Sequence, residues 1–410
     1  MPERLAVWLY GVHVADIEED GGRLSLTYTD DALARFDAGT PLLSLRLPLV
    51  AQRFDHQVVR VFLDGLLPED DQRRIVAQEL RLLADNTFGL IRALGRDCAG
   101  AIVIAPEDEP PPPTATTLAA APLDDAALER LVANLRTAPL GVGDRVRLSL
   151  AGVQEKLLLT RLPDGRWGQP VDGTPSTHIL KPALRGFDSS VENEMFCMRL
   201  AGHLGFVVAR VETITVAGRP ILAVERYDRH VHPDGTVERI HQEDMCQALG
   251  YPPTRKYEDD NGPALRQIAR LLRDAAGRDA VESLFRATVL NLIIGNGDAH
   301  AKNFSLLHTP NGSVRLAPLY DVMSSRVYGF PKFAMKIDGE DRMDRITPEH
   351  LLDEAGAWGI ARTSAIAILA DIAQRAASAA EDASAEVRGV PEGLRPLIDA
   401  QLAIFGAELT

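Results

Sequence analysis

The first part of the chain combines apolar runs and turn residues in a pattern that predicts a small α+β module. Two strand-like runs, LAVWLYGVHV and RLSLTYT, are separated by the polar turn EEDGG. Apolar residues at helical spacing follow around Gln57–Leu67 and Asp70–Leu83. The glycine-containing stretch FGLIRALGRDCAGAIVIAP completes this part of the chain. We therefore predict an N-terminal module over residues 1–105.

A proline-rich segment separates this module from the rest of the chain. The sequence APEDEPPPPTATTLAAAP contains four consecutive prolines, Pro110 to Pro113. Because proline lacks an N–H donor and has a fixed backbone angle, such a run favours an extended chain. We predict a linker over residues 106–122.

The next part of the chain predicts a small lobe rich in strands. The run VRLSLAGVQEKLLLTRL leads into the turn PDG and returns as THILKPA, which indicates a hairpin with Lys181 at its end. The segment VENEMFCMRLAGHLG has helical spacing, and GRPILAVERYDR returns to an apolar strand with a charged end. These elements predict a nucleotide-binding lobe over residues 123–228.

Helical patterns dominate from residue 229 to residue 410. The segment ALRQIARLLRDAA places five apolar side chains on one helix face, namely Leu265, Ile268, Leu271, Leu272 and Ala275. The alanine-rich stretch near the C-terminus is typical of helix, and no repeat of 20 to 50 residues is present. The predicted fold class is α+β, with a mixed α/β N-terminal part and an all-α C-terminal lobe.

Composition restricts the partners of this chain. The 410 residues carry a formal net charge of −14, with 46% hydrophobic and 25% charged residues. This is the composition of a folded, multidomain protein. Because nucleic-acid affinity depends heavily on lysine and arginine, we expect any DNA contact to need a basic partner.

The sequence favours a soluble, cytoplasmic protein. The run MPERLAVWLYG is too short for the apolar core of a signal peptide, and no stretch has eighteen consecutive apolar residues. Cys98, Cys197 and Cys246 form no CxxC pair, which argues against a disulfide framework or a thiolate zinc site. We expect no membrane contact.

The most informative segment is LFRATVLNLIIGNGDAHAKNFSLL, where an apolar helix breaks before Asp298 and Asn303. Protein kinases use this aspartate–asparagine spacing, with the aspartate accepting the substrate hydroxyl proton and the asparagine binding Mg²⁺. The spacing alone is more typical of an ordinary turn. However, FSLL and VRLAPLYD predict two strands around the turn PNG, which return Asp321 to the side of Asn303. We predict an ATP-dependent phosphotransferase with Asp298 as catalytic carboxylate and Asn303 and Asp321 as Mg²⁺ ligands.

Other residues are candidates for nucleotide binding. Lys181, at a strand end, could point its ammonium group at the phosphates, although an isolated lysine is more often a surface residue. The segment SLAGVQEK contains the small residues Ser149, Ala151 and Gly152. Their size could let backbone N–H groups approach phosphates. The segment does not match GxxxxGK[ST], and no GxGxxG is present, so neither a Walker loop nor a dinucleotide fold is indicated.

Several side chains have supporting roles in this hypothesis. Glu192 or Glu194 could pair with Lys181, and a solvated helix face is an equally open alternative. His300 could contact phosphate or orient Asp298, although a single histidine beside a turn is more often structural.

The strand end AVERYDR is the candidate for nucleoside binding. Backbone groups near Glu225 and Tyr227 could contact the adenine edge, and Asp228 could contact the ribose. Taken alone, these charged residues would simply mark the end of a strand.

Two alternatives remain open at the level of residues. One is a small-molecule kinase of the aminoglycoside or choline type, whose HGDxxxxN loop resembles NGDAHAKN. The other is a nucleotide-binding co-repressor without kinase turnover. The absence of HExxH and GxSxG argues against metalloprotease and α/β-hydrolase functions.

Taken in order, a series of motifs closely resembles the HipA-type serine/threonine kinases, the toxins of bacterial toxin–antitoxin pairs. The motifs are SLAGVQEK, THILKP, NEMFCMRLAGHLG, AVERYDR, HQEDMCQALG, KYE, GNGDAHAKNFSLL and LAPLYD. The stretch FGLIRALGRDCAGAIV resembles the N-terminal module of that family. The resemblance implies a protein-kinase-like fold that uses ATP and Mg²⁺ to phosphorylate a protein hydroxyl. Family targets include aminoacyl-tRNA synthetases.

The resemblance also implies residue roles and a partner. By motif it assigns Lys181 to the ATP phosphates and Ser149 to the loop serine that is autophosphorylated, with loss of activity. It implies a HipB-like helix-turn-helix antitoxin, through which the acidic chain would reach DNA. The segment VMSSRVYGFP is shorter than the corresponding loop of the family, which leaves the choice of target open.

Overall fold

A computed structural model describes residues 3–109, 116–117, 120–135, 149–151, 154–171, 173–309 and 311–408. The predictions for Gly152 and for Pro110–Pro113 fall outside these described residues. Within them, no helix has both the length and the apolar character needed to cross a bilayer. The predicted boundaries near residues 105, 122 and 228 stay predictions.

The N-terminal part is an antiparallel sheet with helices packed against it, as its sequence pattern predicts. The sheet order is β3-β2-β1-β4. The elements are β1 Glu3–Leu9, β2 Val12–Asp20, β3 Arg23–Tyr28, α1 Asp30–Arg35, α2 His56–Leu66, α3 Asp70–Glu79, α4 Thr87–Leu94 and β4 Ile102–Pro106. Tyr10 and Gly11 have φ of 52° and 78°, so a tight turn divides the run LAVWLYGVHV into two strands.

The middle part holds a second sheet, of order β10-β11-β9-β7-β8-β6. The elements are β5 Thr116–Thr117, β6 Ala120–Pro122, α5 Asp125–Ala133, β7 Leu157–Arg161, β8 Trp167–Pro170, β9 His178–Pro182, α6 Ser190–His203, β10 Val211–Val216 and β11 Arg219–Glu225. The turn PDG joins β7 to β8, and β9 then pairs with the other edge of β7. The predicted two-stranded hairpin is therefore three strands.

Residue alternation along β9 decides where Lys181 points. Leu180 is fully buried in a cluster with Leu157 and Leu159 on one face of the sheet. Ile179 packs against the other two apolar cores of the chain. Because neighbouring residues in a strand face opposite sides, Lys181 lies on the face of Ile179, toward the C-terminal part.

The C-terminal part is mainly helical but not all-α, which corrects that element of the prediction. Its elements are β12 Arg229–Val231, β13 Thr236–Arg239, β14 His241–Asp244, α7 Met245–Leu249, α8 Leu265–Ala276, α9 Arg278–Ile294, β15 Ser305–His308, β16 Val314–Leu316, β17 Lys332–Ile337, β18 Glu340–Arg342, α10 Pro348–Ala357, α11 Arg362–Glu386 and α12 Leu394–Glu408. The β15–β16 hairpin is the one that FSLL and VRLAPLYD predict.

Helix α9 crosses the interior of this part and ends just before the loop that carries Asp298. Residues 287–297 are all buried, and Asp298 is the first exposed residue after them. The helix ends because Gly295 adopts a left-handed conformation, with φ 69° and ψ 41°. A buried helix thus fixes the start of the loop that carries Asp298.

The HQEDMCQALG motif attaches the N-terminal module to the rest of the chain. Glu243 accepts hydrogen bonds from the Ser44 hydroxyl at 2.6 Å and the Leu45 backbone N–H at 2.9 Å. The Gln247 side chain donates to the Phe62 carbonyl at 3.1 Å. These side chains are buried, so their hydrogen bonds fix the module against the motif.

A buried ion network makes a second attachment. Asp97, at 0% exposure, accepts from the Ser176 hydroxyl at 2.7 Å and from Arg229 at 2.8 Å, and Arg226 lies 3.4 Å away. Burial would raise the pKa of Asp97, but the neighbouring guanidinium groups lower it below its usual range. The N-terminal module is therefore ionically tied to the segment that follows β11.

Removal of the Asp97 carboxylate should destabilise the fold. Asp97→Ala leaves Arg226 and Arg229 buried with fewer counter-charges, and we expect the free energy of unfolding to fall by about 3–5 kcal/mol. Urea unfolding followed by circular dichroism measures the change. Asp164→Ala, in the exposed β7–β8 turn, is the control and should unfold like wild type. Equal stability of the two variants would contradict the structural role of Asp97.

Candidate active site

Lys181 lies at the centre of the candidate active site. Its Nζ is 2.7 Å from Glu194 Oε1 on α6 and 2.7 Å from Asp321 Oδ1, which follows β16. Of the two glutamates that the sequence offered, the structure selects Glu194, which is 3% exposed. One ammonium group therefore joins the second sheet and its helix to the C-terminal part.

Charge pairing keeps Lys181 and Asp321 ionised despite burial, whereas burial raises the pKa of Glu194. Burial lowers the pKa of Lys181, but the Asp321 and Glu194 carboxylates more than offset this and hold it above its usual range. Burial likewise raises the pKa of Asp321, but the Lys181 and Lys156 ammonium groups bring it below its usual range. The Asp321 side chain is 39% exposed, so it keeps a surface for a ligand.

Glycine is required in the loop before Asp298. A Cβ on Gly297 would lie 2.3 Å from the Lys332 carbonyl oxygen, a separation that backbone atoms cannot accommodate. The Gly297 N–H donates to Ser325 Oγ at 2.8 Å, and its carbonyl accepts from the Ala334 N–H at 2.8 Å. The loop is therefore held between β17 and the segment after Asp321.

Asp298 and Asn303 lie together, as their spacing predicts. Asn303 Nδ2 donates to the Asp298 carbonyl at 2.9 Å, and the His300 backbone N–H donates to the same oxygen at 2.7 Å. The exposed Asp298 carboxylate accepts from the hydroxyl of Tyr257 at 2.7 Å. The sequence did not single out Tyr257, although its motif, KYE, was noted.

His300 offers an unused polar atom inside the site. The side chain is 7% exposed, and its ring meets the edge of Tyr257 at 5.1 Å between centroids. Burial lowers the pKa of His300, although Asp298 and Asp321 act in the opposite direction. Its Nδ1 is buried without a hydrogen-bond partner among the described residues, and such an atom is a natural contact for a ligand.

Further lysines gather near this site, and the sequence reasoning missed them. Lys156, 9% exposed, donates to the Ala151 carbonyl. Burial and the neighbouring Lys181 lower the pKa of Lys156 to about 8. The residue belongs to SLAGVQEK, so its position within that motif could have drawn attention to it. A set of ammonium groups of this kind suits a polyphosphate.

A second lysine group connects the loop of Asp298 to the N-terminal module. Lys302 pairs with Asp244 and lies 3.7 Å from Glu69, while Lys256 lies 2.9 Å from Glu69. Glu69, at the start of α3, is only 6% exposed. Residues distant in sequence therefore meet beside Asp298.

The donor set suits magnesium bound together with phosphate. Asp321 supplies a carboxylate and Asn303 an amide, and both are oxygen ligands of the kind Mg²⁺ prefers. Among the described residues, no group of three or more His, Cys, Asp or Glu side chains could hold a metal. Asp321 and Asn303 could together hold an ion that completes its coordination with phosphate and water oxygens.

The structure gives the predicted nucleoside-binding residues different surroundings. The Tyr227 ring packs against Tyr320 at 5.4 Å, and its hydroxyl bonds Gln242. Glu225 donates its backbone N–H to the Arg210 carbonyl at 2.8 Å. The backbone contacts of both residues with adenine stay a prediction.

Asp228 is part of the buried ion network. Its carboxylate accepts from Arg226 at 3.0 and 2.8 Å and from the Gly100 N–H at 2.7 Å, and the residue is 3% exposed. Both oxygens are thus engaged by protein donors. Asp228 therefore helps to hold the ion network together, and its contact with ribose stays a prediction.

Ser149 faces the N-terminal module. Its hydroxyl donates to the Leu66 carbonyl at 2.6 Å, its N–H donates to the Asp97 carbonyl at 3.0 Å, and the residue is fully buried. The hydroxyl is therefore engaged away from solvent. Of the predicted phosphate loop, Ala151 contacts Lys156, and Gly152 lies outside the described residues.

Comparisons with known proteins agree with the motifs. Residues 5–105 match the model of the HipA N-terminal domain, and residues 148–380 match that of the HipA-like C-terminal domain. A putative kinase, Y4mE, of Sinorhizobium fredii is 43% identical over 341 residues, which cover 81% of this chain and 80% of that protein. The serine/threonine-protein kinase toxin HipA of Shewanella oneidensis is 33% identical over 379 residues, covering 86% of this chain and 84% of the relative.

A solved structure confirms the predicted fold class. The chain superposes on the Shewanella oneidensis HipA in a complex of HipA, HipB and operator DNA, with a TM-score of 0.84 and 28% sequence identity. The match covers 99% of this chain and 96% of that one. The resemblance seen in the motifs is thereby confirmed. The chain belongs to the HipA family of serine/threonine-protein kinases.

Proposed function

We propose that this chain is the toxin of a toxin–antitoxin pair and transfers the γ-phosphate of ATP to a protein serine or threonine. The observation that carries this proposal is the Lys181 ammonium held between Glu194 and Asp321. The loop of Asp298 would belong to the same site, because the hydroxyl of Tyr320, the neighbour of Asp321, donates to the Lys302 carbonyl at 2.6 Å. Protein kinases need this combination of a paired lysine, a catalytic aspartate and metal ligands.

Each residue has a role in this reaction. Lys181 and Lys156 would bind the phosphates, and backbone groups near Glu225 and Tyr227 would meet the adenine edge. Asp298 would accept the proton of the attacking hydroxyl. Asn303 and Asp321 would hold Mg²⁺, which when bound neutralises charge on the transferred phosphoryl group. His300 Nδ1 would contact the nucleotide.

The partner and the target belong to the same proposal. The structural relative was solved with HipB and operator DNA, and we infer a HipB-like helix-turn-helix antitoxin for this chain. A net charge of −14 disfavours direct DNA binding, so the antitoxin would provide it. The target would be a cytoplasmic translation factor such as an aminoacyl-tRNA synthetase, as the family resemblance implies.

Autophosphorylation of Ser149 would limit the activity. The fully buried Ser149 hydroxyl donates a hydrogen bond to the Leu66 carbonyl, so Ser149 has to leave this position before it can accept phosphate. A phosphate would add a charge of about −1.5 to −2, which cannot return to a buried site beside a backbone carbonyl. The loop that carries phosphorylated Ser149 would stay displaced and could no longer bind the phosphates of ATP.

Phosphate transfer should depend on Asp298. The wild-type chain incubated with ATP and Mg²⁺ should gain phosphate at Ser149, and Asp298→Asn should lose at least about a hundredfold in rate. Mass spectrometry of the Ser149 peptide measures the transfer, with Asp164→Asn as a surface control. An unmodified Ser149 in wild type would contradict the self-limiting step.

ATP binding without any transfer would favour the nucleotide-binding co-repressor.

Nucleotide binding should take up a proton at alkaline pH. The pKa of Lys156 is lowered to about 8 by burial and Lys181, and bound phosphates favour its charged form and raise it. At about pH 9 the Lys156 side chain is deprotonated in most molecules of the nucleotide-free protein. ATP binding should therefore be accompanied by uptake of one proton at Lys156. At about pH 6.5 Lys156 is already charged, and no proton from this group should be taken up.

Calorimetry in two buffers of different ionisation enthalpy measures this uptake. Lys156→Met should lose the alkaline proton uptake and bind ATP more weakly. The wild-type titration at about pH 6.5 serves as the internal control. Equal uptake at alkaline pH in wild type and Lys156→Met would show that the proton enters at another group.

A further inference from the structure

Three consecutive side chains, Lys256, Tyr257 and Glu258, contact three different parts of the molecule. Lys256 Nζ lies 2.9 Å from Glu69 of the N-terminal module. The Tyr257 hydroxyl donates to Asp298 Oδ1 at 2.7 Å. Glu258 accepts from the backbone N–H of Lys336 at 2.7 Å. The KYE motif is thus the point at which the module, the catalytic carboxylate and β17 meet.

Tyr257 is held rigidly by its own loop. Its carbonyl accepts from the Asp260 N–H at 3.1 Å and the Gly262 N–H at 2.9 Å. A Cβ on Gly262 would lie 2.1 Å from the Arg255 carbonyl oxygen, so this close turn requires glycine. The ring is half-buried against His300. A side chain fixed in this way can define the position of the group it contacts.

The phenol remains a donor throughout the pH range of the reaction. Burial and the Asp298 carboxylate raise the pKa of Tyr257 far above its usual range, so the hydroxyl stays protonated. A carboxylate has two oxygens, and Tyr257 engages only Oδ1. Oδ2 is left for the proton of an acceptor hydroxyl.

The N-terminal module supports this arrangement through a buried ion pair. Glu69 is 6% exposed and Lys256 is 8% exposed. Burial would raise the pKa of Glu69, but Lys302 and Lys256 lower it and keep the carboxylate charged. Lys256 also lies 5.7 Å from the centroid of the Tyr257 ring. A displacement of Glu69 would therefore move Lys256 and, with it, Tyr257, the residue that contacts Asp298.

We propose that Tyr257 is a positioning residue for Asp298 and that the Glu69–Lys256 ion pair sets its position from the N-terminal module. The proposal rests on the proposed function, because it assigns Asp298 as the base. A carboxylate that rotates freely would be correctly oriented in a smaller fraction of its encounters with the acceptor hydroxyl. A carboxylate whose Oδ1 is fixed keeps Oδ2 directed toward that hydroxyl. A module outside the lobes that bind nucleotide would thereby set the rate of the chemical step.

The test compares kcat and KM for isosteric variants of the full chain. The readout is transfer of labelled γ-phosphate from ATP to the chain itself and to dephosphorylated casein. Tyr257→Phe should lower kcat about tenfold, the effect of losing one hydrogen bond to a charged group, with little change in KM for ATP. Glu69→Gln should lower kcat by a smaller factor. The double variant Glu69→Gln, Tyr257→Phe should have the same kcat as Tyr257→Phe alone.

Matched controls separate positioning from loss of fold. Tyr251→Phe removes a nearby phenol whose partner is Gln267, and Glu349→Gln removes an exposed pair with Arg362. Both should keep the wild-type kcat. The unfolding temperature of each variant is measured in parallel. A normal KM for ATP in Tyr257→Phe reports an intact nucleotide site.

The outcomes distinguish this inference from the proposed function. Wild-type kcat in Tyr257→Phe, with Asp298→Asn inactive, would overturn the role of Tyr257 and leave the kinase assignment intact. Additive losses in the Glu69→Gln, Tyr257→Phe double variant would overturn the link to the N-terminal module. Full activity in Asp298→Asn would instead remove Asp298 as the base, and with it the premise of this inference. Absence of transfer by the wild-type chain would contradict the proposed function itself.

Discussion

The buried Lys181 ammonium, held at 2.7 Å by both Glu194 and Asp321, is the interaction on which the site depends. Each partner comes from a different element, so the contact fixes β9, α6 and the segment after β16 together. Buried ion pairs of this kind add little net stability, but removal of one partner is strongly destabilising. Their value here is positional, because they hold Lys181, Glu194 and Asp321 at fixed positions relative to one another.

The N-terminal module completes this site as well as packing against it. Its Leu66 carbonyl holds the Ser149 hydroxyl, and its Glu69 holds Lys256 beside Tyr257. Asp97 ties the same module to the segment after β11 through arginines. The Ser149 loop, the Asp298 loop and the segment after β11 are therefore each connected to one module. This makes the module a natural place from which activity could be adjusted.

The sequence predicted the parts of the site that depend on local structure. Asp298 and Asn303 lie on one loop, and their spacing was sufficient to predict that they lie together. Asp321 follows the β15–β16 hairpin that the turn residues predicted, and its role as a metal ligand stays a prediction. Ser149 and Asp228 could not be placed in this way, because their partners, the Leu66 carbonyl and the Gly100 N–H, are distant in the chain. The choice of Glu194 over Glu192 likewise required the packing of α6 against β9. The all-α lobe was wrong because, besides the predicted β15–β16 hairpin, it holds strands such as β12 and β18, whose three residues are too few for a clear alternating pattern.

A structure with Mg²⁺ and a non-hydrolysable ATP analogue tests the central claim most directly. The account predicts that Lys181 keeps Glu194 and exchanges Asp321 for a phosphate oxygen. Asp321 and Asn303 then bind the metal, and the Asp298 carboxylate faces the γ-phosphate. A nucleotide bound elsewhere, with the Lys181–Asp321 contact intact, would contradict the account.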